Sequence, residues 1–186
     1  TWEDYKKENE DDILIEIDPG IAFGTGSHET TKLCIQALDK YIKPGDSVLD
    51  VGCGSGILSI AALKSGAGHA TAIDIDETAV KVAAENMEVN RIAPTEYSLF
   101  HGDLITDPEL KKNAGTGHDI IVANILADVI VPLTGIIRPH LKPGGLYITS
   151  GIIDTKEEEV YTALKDNGFE IVKIEHMKEW CCFIAR

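Results

Sequence analysis

The chain reads as an α/β protein built on a mostly parallel sheet with helices on both faces. Three observations point there. Short apolar runs alternate with helical stretches along most of the chain, the order that produces a parallel sheet. One run, Val48-Leu49-Asp50-Val51, passes into Gly52-Cys53-Gly54-Ser55-Gly56 and then Ile57-Leu58-Ser59-Ile60-Ala61-Ala62, which is a strand, a tight turn and a helix. The last two apolar runs have no helix between them, so one of them must run antiparallel.

In order, Thr1 to Asp12 form a polar lead-in with one aromatic anchor, Trp2, and Ile13-Leu14-Ile15-Glu16-Ile17 reads as a short strand stopped by Asp18-Pro19-Gly20. The boundary expected from this is a lead-in over residues 1–18 and a single folded domain over 19–186. The loop Phe23-Gly24-Thr25-Gly26-Ser27-His28 follows, with Ser27 placed as the N-cap of a helix that carries Leu33, Ile35, Ala37, Leu38 and Tyr41. Pro44-Gly45-Asp46 turns into the central strand, and the helix Ser55–Lys64 stops at Ser65-Gly66. A second strand, Ala70–Ile73, ends at Asp74-Ile75-Asp76, and the next helix carries Asn86 and Asn90 near its end. The third strand, near Glu96–Phe100, closes with His101-Gly102-Asp103, and Thr106–Gly117 reads as a short helix and loop. Asp119–Ala123 is the fourth strand, Asp128–His140 a helix, and Lys142-Pro143-Gly144-Gly145 a turn. Leu146–Ser150 makes the fifth strand and Thr155–Asn167 the last helix, before the pair Phe169–His176 and Glu179–Ala185. From Val48 onward that makes a seven-stranded sheet.

Composition narrows the partners. A chain of 186 residues with 44% hydrophobic and 26% charged residues has the make-up of one soluble globular domain. Its net charge of −14, from 31 acidic against 17 basic residues, argues against a grip on nucleic-acid phosphates and suits a basic protein or a small molecule, with plain solubility an equal reading of the acidity. No secretory signal opens the chain, and the apolar region Ile120 to Ile137 is broken by Asn124, Asp128 and Pro132, so neither export nor a membrane span is expected. Cysteines 34, 53, 181 and 182 form no C-x-x-C pair and are expected as reduced cytoplasmic thiols. Histidines 69, 101, 118, 140 and 176 lack ligand spacing, so no metal is assigned.

Spacing in the glycine turn sets the ligand class. A dinucleotide fingerprint, G-x-G-x-x-G, would need a third glycine where this chain has Ile57; here the third glycine is Gly56. With Asp50 ahead of it, the turn resembles motif I of the class I S-adenosylmethionine-dependent methyltransferases, a Rossmann-like fold in which the turn lies beside the amino-acid part of the cofactor. Asp74, at the end of the second strand and 22 residues after Gly52, is placed to accept hydrogen bonds from both hydroxyls of an adenosine ribose, while Asp76 is better placed to cap the next helix. Asp103 resembles the superfamily's acidic contact to the adenine amine, with a plain Gly-Asp turn as the competing role. Asn124 begins Asn124-Ile125-Leu126-Ala127, where many amine methyltransferases carry an Asn or Asp followed by two prolines and an aromatic. The substitution argues against a DNA-type enzyme, since no aromatic platform remains for a flipped base.

Taken together, Phe23-Gly24-Thr25-Gly26-Ser27-His28-Glu29-Thr30-Thr31, the Asp50–Gly56 turn, Asp74-Ile75-Asp76, Ala123-Asn124-Ile125-Leu126, Ser150-Gly151-Ile152 and Glu179-Trp180 are similar to the bacterial PrmA type. These are the methyltransferases of the large-subunit ribosomal protein numbered eleven. The resemblance implies S-adenosylmethionine as cofactor, Thr31, Gly52, Asp74 and Asn124 as its contacts, and transfer of methyl groups to lysine or N-terminal amines of that ribosomal protein in the cytoplasm. Asp50, Gly54 and Asp103 complete the candidate binding set, and Asn124 is also the catalytic candidate. The Phe23–His28 loop is expected to act as a lid over the cofactor; Trp180 is read equally as a core residue. Nothing ahead of Asp18 is long enough for the family's N-terminal substrate-recognition domain, so the chain is expected to carry the catalytic domain alone. The competing readings are a methyltransferase of RNA or a small molecule, and a cofactor-binding module without turnover.

Overall fold

The structure, a computed structural model, describes residues 13–18 and 28–186. The lead-in Thr1 to Asp12, the loop Phe23 to Gly26 and the expected cap Ser27 lie outside the described residues. The helices are α1 (Glu29–Tyr41), α2 (Ile57–Lys64), α3 (Glu77–Val89), α4 (Pro108–Asn113), α5 (Ala127–Ile137) and α6 (Glu157–Asp166). The strands are β1 (Ser47–Val51), β2 (His69–Asp74), β3 (Tyr97–His101), β4 (His118–Asn124), β5 (Leu141–Ile153), β6 (Ile171–Met177) and β7 (Trp180–Ala185). They form one sheet in the order β3-β2-β1-β4-β5-β7-β6, parallel except for β7, which is antiparallel to both its neighbours.

Alternation along the strands divides the core. Leu49 and Val51 of β1 join Leu133 of α5 and Leu164 of α6 on one face, while Val48 joins Leu38 of α1 and Ile60 of α2 on the other. The same period explains the adjacent cysteines: Cys181 packs on the first face and Cys182 on the second, and all four cysteines are buried free thiols. The chain passes from β1 outward to β3, then returns to β4 beside β1, so the order reverses between β1 and β4. A crevice opens beyond the carboxyl ends of the strands at such a reversal.

Three expectations need correction. Ile13–Ile17 forms no strand, because the peptide groups of Glu16 and Asp18 are taken by the side chains of Asn90 and Asn86 rather than by a sheet neighbour. Lys142 to Gly145 is not a turn between elements. These residues bulge within β5, whose register against β4 shifts between the pairs His118 with Leu141 and Ile120 with Leu146. Helix α2 begins at Ile57 and not Ser55, because Gly56 is its N-cap with φ of 79°.

His118 ties the lower edge of the sheet together. Its Nε2 donates to the Ala114 carbonyl at 2.8 Å, which leaves Nδ1 to accept from the Ser47 hydroxyl at 2.9 Å. Burial, with His140 and His69 nearby, holds its pKa below the usual histidine value. The unfolded chain therefore binds the proton first, and this contribution to stability is present above about pH 6.5 and is lost as pH falls below it. His118→Gln should flatten the dependence of melting temperature on pH between 7.5 and 5.5 relative to the parent. Parallel curves for the two proteins would refute this assignment.

Candidate functional site

The glycine turn is fixed from several sides. Gly52 has φ of 76°, and a Cβ there would lie 2.3 Å from Cγ2 of Ile125. Gly151 at the end of β5, with φ of 85°, meets the same residue from the other side, where a Cβ would lie 2.2 Å from the Ile125 carbonyl oxygen. Ile125 is thus wedged between two positions that admit only glycine. Its N–H donates to the Ser150 carbonyl at 3.2 Å, which pins the residue that follows Asn124.

Two carboxylates flank the turn in different surroundings. Asp74 faces the crevice: Oδ2 accepts from the Gly54 N–H at 2.8 Å and Oδ1 from the Asp76 N–H at 2.9 Å. Each oxygen keeps a lone pair for a further donor. Asp76 caps α3, as expected, through the Thr78 N–H. Asp50 points the other way, beneath the turn. It is fully buried, and its Oδ2 accepts from the N–H and hydroxyl of Ser59 at 3.1 and 2.7 Å, while Oδ1 has no partner among the described residues. Burial raises its pKa to about 7 against the opposing pull of Ser59, and the charge of Asp74 adds to the rise.

The crevice is a cavity of about 620 Å³. Gly52, Gly54, Asp74, Asp103, Thr31 and Asn124 all line it, together with His28, Ile125, Leu126, Val129 and Trp180. Asp50 is not among the lining residues, so it supports the turn from behind. The Asn124 Nδ2 donates to the Thr31 hydroxyl at 3.2 Å, and its Oδ1 has no partner among the described residues. Both carboxylate oxygens of Asp103 serve its local turn, accepting from the Ile105 N–H at 2.9 Å and the Thr106 hydroxyl at 2.7 Å. His28 is the N-cap of α1, with the Thr30 N–H directed at its ring, and its imidazole stands edge-on to Trp180 at 5.0 Å. Trp180 therefore both packs on the core and faces the cavity. Among the described residues, no group of three His, Cys, Asp or Glu side chains is placed to hold a metal ion, and no helix is long and apolar enough to cross a membrane.

The wedge at Ile125 and the apolar rim were not visible in the sequence. Leu126 is 69% exposed and Val129 41% exposed beside the cavity, which helix periodicity alone does not announce. Gly151 was the available signal for the wedge, since a glycine closing an apolar strand marks close backbone approach.

A seven-stranded sheet with β7 reversed, and a glycine turn beside an acidic strand end at the order reversal, define the class I S-adenosylmethionine-dependent methyltransferase fold. A precorrin-6y C5,15-methyltransferase from Geobacter metallireducens GS-15 shares this fold, with a TM-score of 0.71 at 12% identity over 88% of this chain and 91% of that one. The ribosomal protein L11 methyltransferase (PrmA) family model matches residues 1–186, and the chain belongs to that family. A ribosomal protein L11 methyltransferase from Agathobacter rectalis is 52% identical over all of this chain and 59% of its own length. The crystal structure of a ribosomal protein L11 methylase from Lactobacillus delbrueckii subsp. bulgaricus superposes with a TM-score of 0.88 at 35% identity, over all of this chain and 91% of that one. The chain spans about 60% of the length of the curated relatives it matches.

The Asp50 environment yields a test in the ligand-free protein. Its folded pKa of about 7 lies above the ordinary aspartate value of 3.8, so the folded state holds the proton longer and this contribution to stability declines as pH rises between those values. Asp50→Asn should gain stability over the parent between pH 5 and pH 8, by up to ~3 kcal/mol. A melting-temperature difference that stays constant across that range would show that Asp50 does not titrate within the fold.

Proposed function

We propose that the chain binds S-adenosylmethionine in this cavity and catalyses methyl transfer to amine nitrogens, of lysine side chains or an N-terminus, on ribosomal protein L11 in the cytoplasm. The observation that carries the reading is the Asp74 carboxylate, held at the mouth of the glycine turn by two backbone N–H groups with acceptor capacity still open to the cavity. Such a carboxylate suits the two vicinal hydroxyls of an adenosine ribose. The cavity volume lies in the range of small-molecule sites. Gly52 and Gly54 carry no side chains into the cavity and so leave room for the amino-acid portion, and Asp103 borders the adenine end with the lone pairs its turn leaves over.

The bound sulfonium supplies an electrophilic methyl group, and the protein's part is position and solvation. Asn124 holds Thr31 with its Nδ2 and directs an unpaired, buried Oδ1 that suits an N–H of the target amine or of the cofactor's ammonium. A side-chain amide cannot act as a strong base, so it orients the nitrogen and the proton leaves to water. Leu126 and Val129 at the rim exclude water around the approaching amine. Desolvation lowers an amine's pKa and favours the neutral form that attacks. In-line placement of that lone pair against the methyl group then supplies much of the rate. The net charge of −14 favours encounter with a basic protein.

Transfer of labelled methyl from S-adenosylmethionine to L11, presented in a total ribosomal-protein extract, tests the reading directly. Label on another protein, on RNA or on nothing would overturn it. Asp74→Ala should fold normally yet raise the Kd for S-adenosylmethionine at least about tenfold, since each hydrogen bond to a charged group contributes about 1.5–3 kcal/mol. An unchanged Kd by calorimetry would reduce Asp74 to a support for the turn.

A further inference from the structure

Asn86, on α3, and Asn90, the residue that caps its C-terminal end, are almost fully buried, yet neither lines the cavity. Their side-chain amides do the work of a strand edge. Asn90 Oδ1 accepts from the Glu16 N–H at 3.0 Å and its Nδ2 donates to the Glu16 carbonyl at 2.6 Å and to the Asn86 carbonyl at 2.8 Å. One turn earlier, Asn86 Oδ1 accepts from the Asp18 N–H at 2.9 Å and its Nδ2 donates to the Asp18 carbonyl at 3.2 Å. The spacing fits because four helical residues rise about 6 Å and two extended residues about 6.6 Å. Residues 16 and 18 of an extended chain turn their peptide groups to the same side, so each meets one carboxamide in register.

Asn86 also reaches the glycine turn. The second hydrogen of the same Nδ2 goes to the Ser55 carbonyl at 2.9 Å. Ser55 lies between Gly54, whose N–H is held by Asp74, and Gly56, the N-cap of α2. One buried nitrogen therefore holds the entering segment and the turn together, and both its hydrogens are committed. Exchanging the amide oxygen and nitrogen would set a donor against the Asp18 N–H and an acceptor against two carbonyls, so the orientation is fixed by the network. Neither asparagine has a part in the proposed chemistry, and a leucine or methionine would fill the space without a desolvation cost.

We propose that Asn86 is a positioning residue that couples occupancy of the cavity to docking of the segment Glu16–Asp18. The inference rests on the reading of the cavity as a cofactor site. A ligand that fixes the glycine turn fixes the Ser55 carbonyl, which holds the Asn86 amide in the orientation that receives Asp18. Linkage makes the effect reciprocal: the docked segment favours the turn geometry that binds the ligand. Asn90 anchors the segment alone and does not touch the turn.

The test follows exchange of the Glu16 and Asp18 amide hydrogens by NMR, with and without S-adenosylhomocysteine, alongside calorimetric binding. In the parent protein the ligand should slow both amides about fivefold or more, the lower range of measured site couplings. Asn86→Ala should abolish that ligand-dependent slowing and raise the Kd by a similar factor. Asn90→Ala should speed Glu16 exchange in the free protein while the ligand still slows Asp18. If Asn86→Ala fails to fold, Asn86→Asp keeps the acceptor for the Asp18 N–H, loses both donated bonds and decides the same question. Slowing that persists without the Asn86 donors would overturn the coupling, as would a parent protein that binds the ligand with no change in exchange. A parent that binds no S-adenosylhomocysteine would instead overturn the cofactor reading, and the coupling with it.

Discussion

The site depends on how closely Ile125 packs between the ends of β1 and β5. Its side chain occupies the space of a Cβ at position 52, and its backbone occupies that of a Cβ at position 151. The positive φ at both glycines would already strain most other residues; the contacts exclude them on steric grounds as well. This wedge explains why the loop after β4 does without the two prolines common in amine methyltransferases. A proline stiffens a loop by fixing φ. Here a β-branched residue trapped between two strand ends gives the same rigidity from outside, and Asn124 inherits its position from it.

Around that wedge the fold sorts two acidic residues by solvation. Asp50 and Asp74 stand near the ends of neighbouring strands, one before Val51 and the other last in β2. Period-two alternation sends Asp50 to the face covered by α1 and α2, where it takes the Ser59 N–H and hydroxyl close to the start of α2. Asp74, at the strand terminus, meets backbone N–H groups and open space. A buried carboxylate is costly to ionise, and the second negative charge nearby adds to that cost. One acid thus supports the turn from behind and the other faces the cavity, although a motif that names only an acid before the glycines does not separate them.

What the sequence made legible follows from which interactions are local. Strand-helix alternation, the Asp76 cap and the opposed faces of Cys181 and Cys182 depend on residues a few positions apart, and all are present. The expected strand at Ile13–Ile17 had the right period. Its peptide groups, however, are met by carboxamides some seventy positions away, and Ile17 is buried in the core without pairing to the sheet. The bulge at Lys142–Gly145 resembles a turn because both need the same residues; only pairing with β4 on either side of it tells them apart. The cap on α1 passed from Ser27 to His28 because an imidazole nitrogen can accept the same N–H as a hydroxyl. Among the candidate binding residues, Asp50 alone lies away from the cavity, and strand alternation was the cue to that.

In the proposed reaction the acidic surface and the apolar rim pull the target amine in opposite directions. Negative charge attracts an ammonium and raises its pKa, whereas removal from water lowers it. Their ranges decide the outcome. Exposed charges such as Asp76 and Asp128 act through solvent, are screened within about 10 Å at 0.1 M salt, and contribute about 0–1 kcal/mol to a pairing. Asp128 is further neutralised by its ion pair with Lys156 at 3.0 Å. Full burial of an amine shifts its pKa by up to about 3–5 units, equivalent to several kcal/mol. Attraction therefore governs the approach, and desolvation between Leu126 and Val129 governs the last few ångströms. That sequence yields a neutral nucleophile at the site without a dedicated base, and it gives Asn124 a purely orienting role.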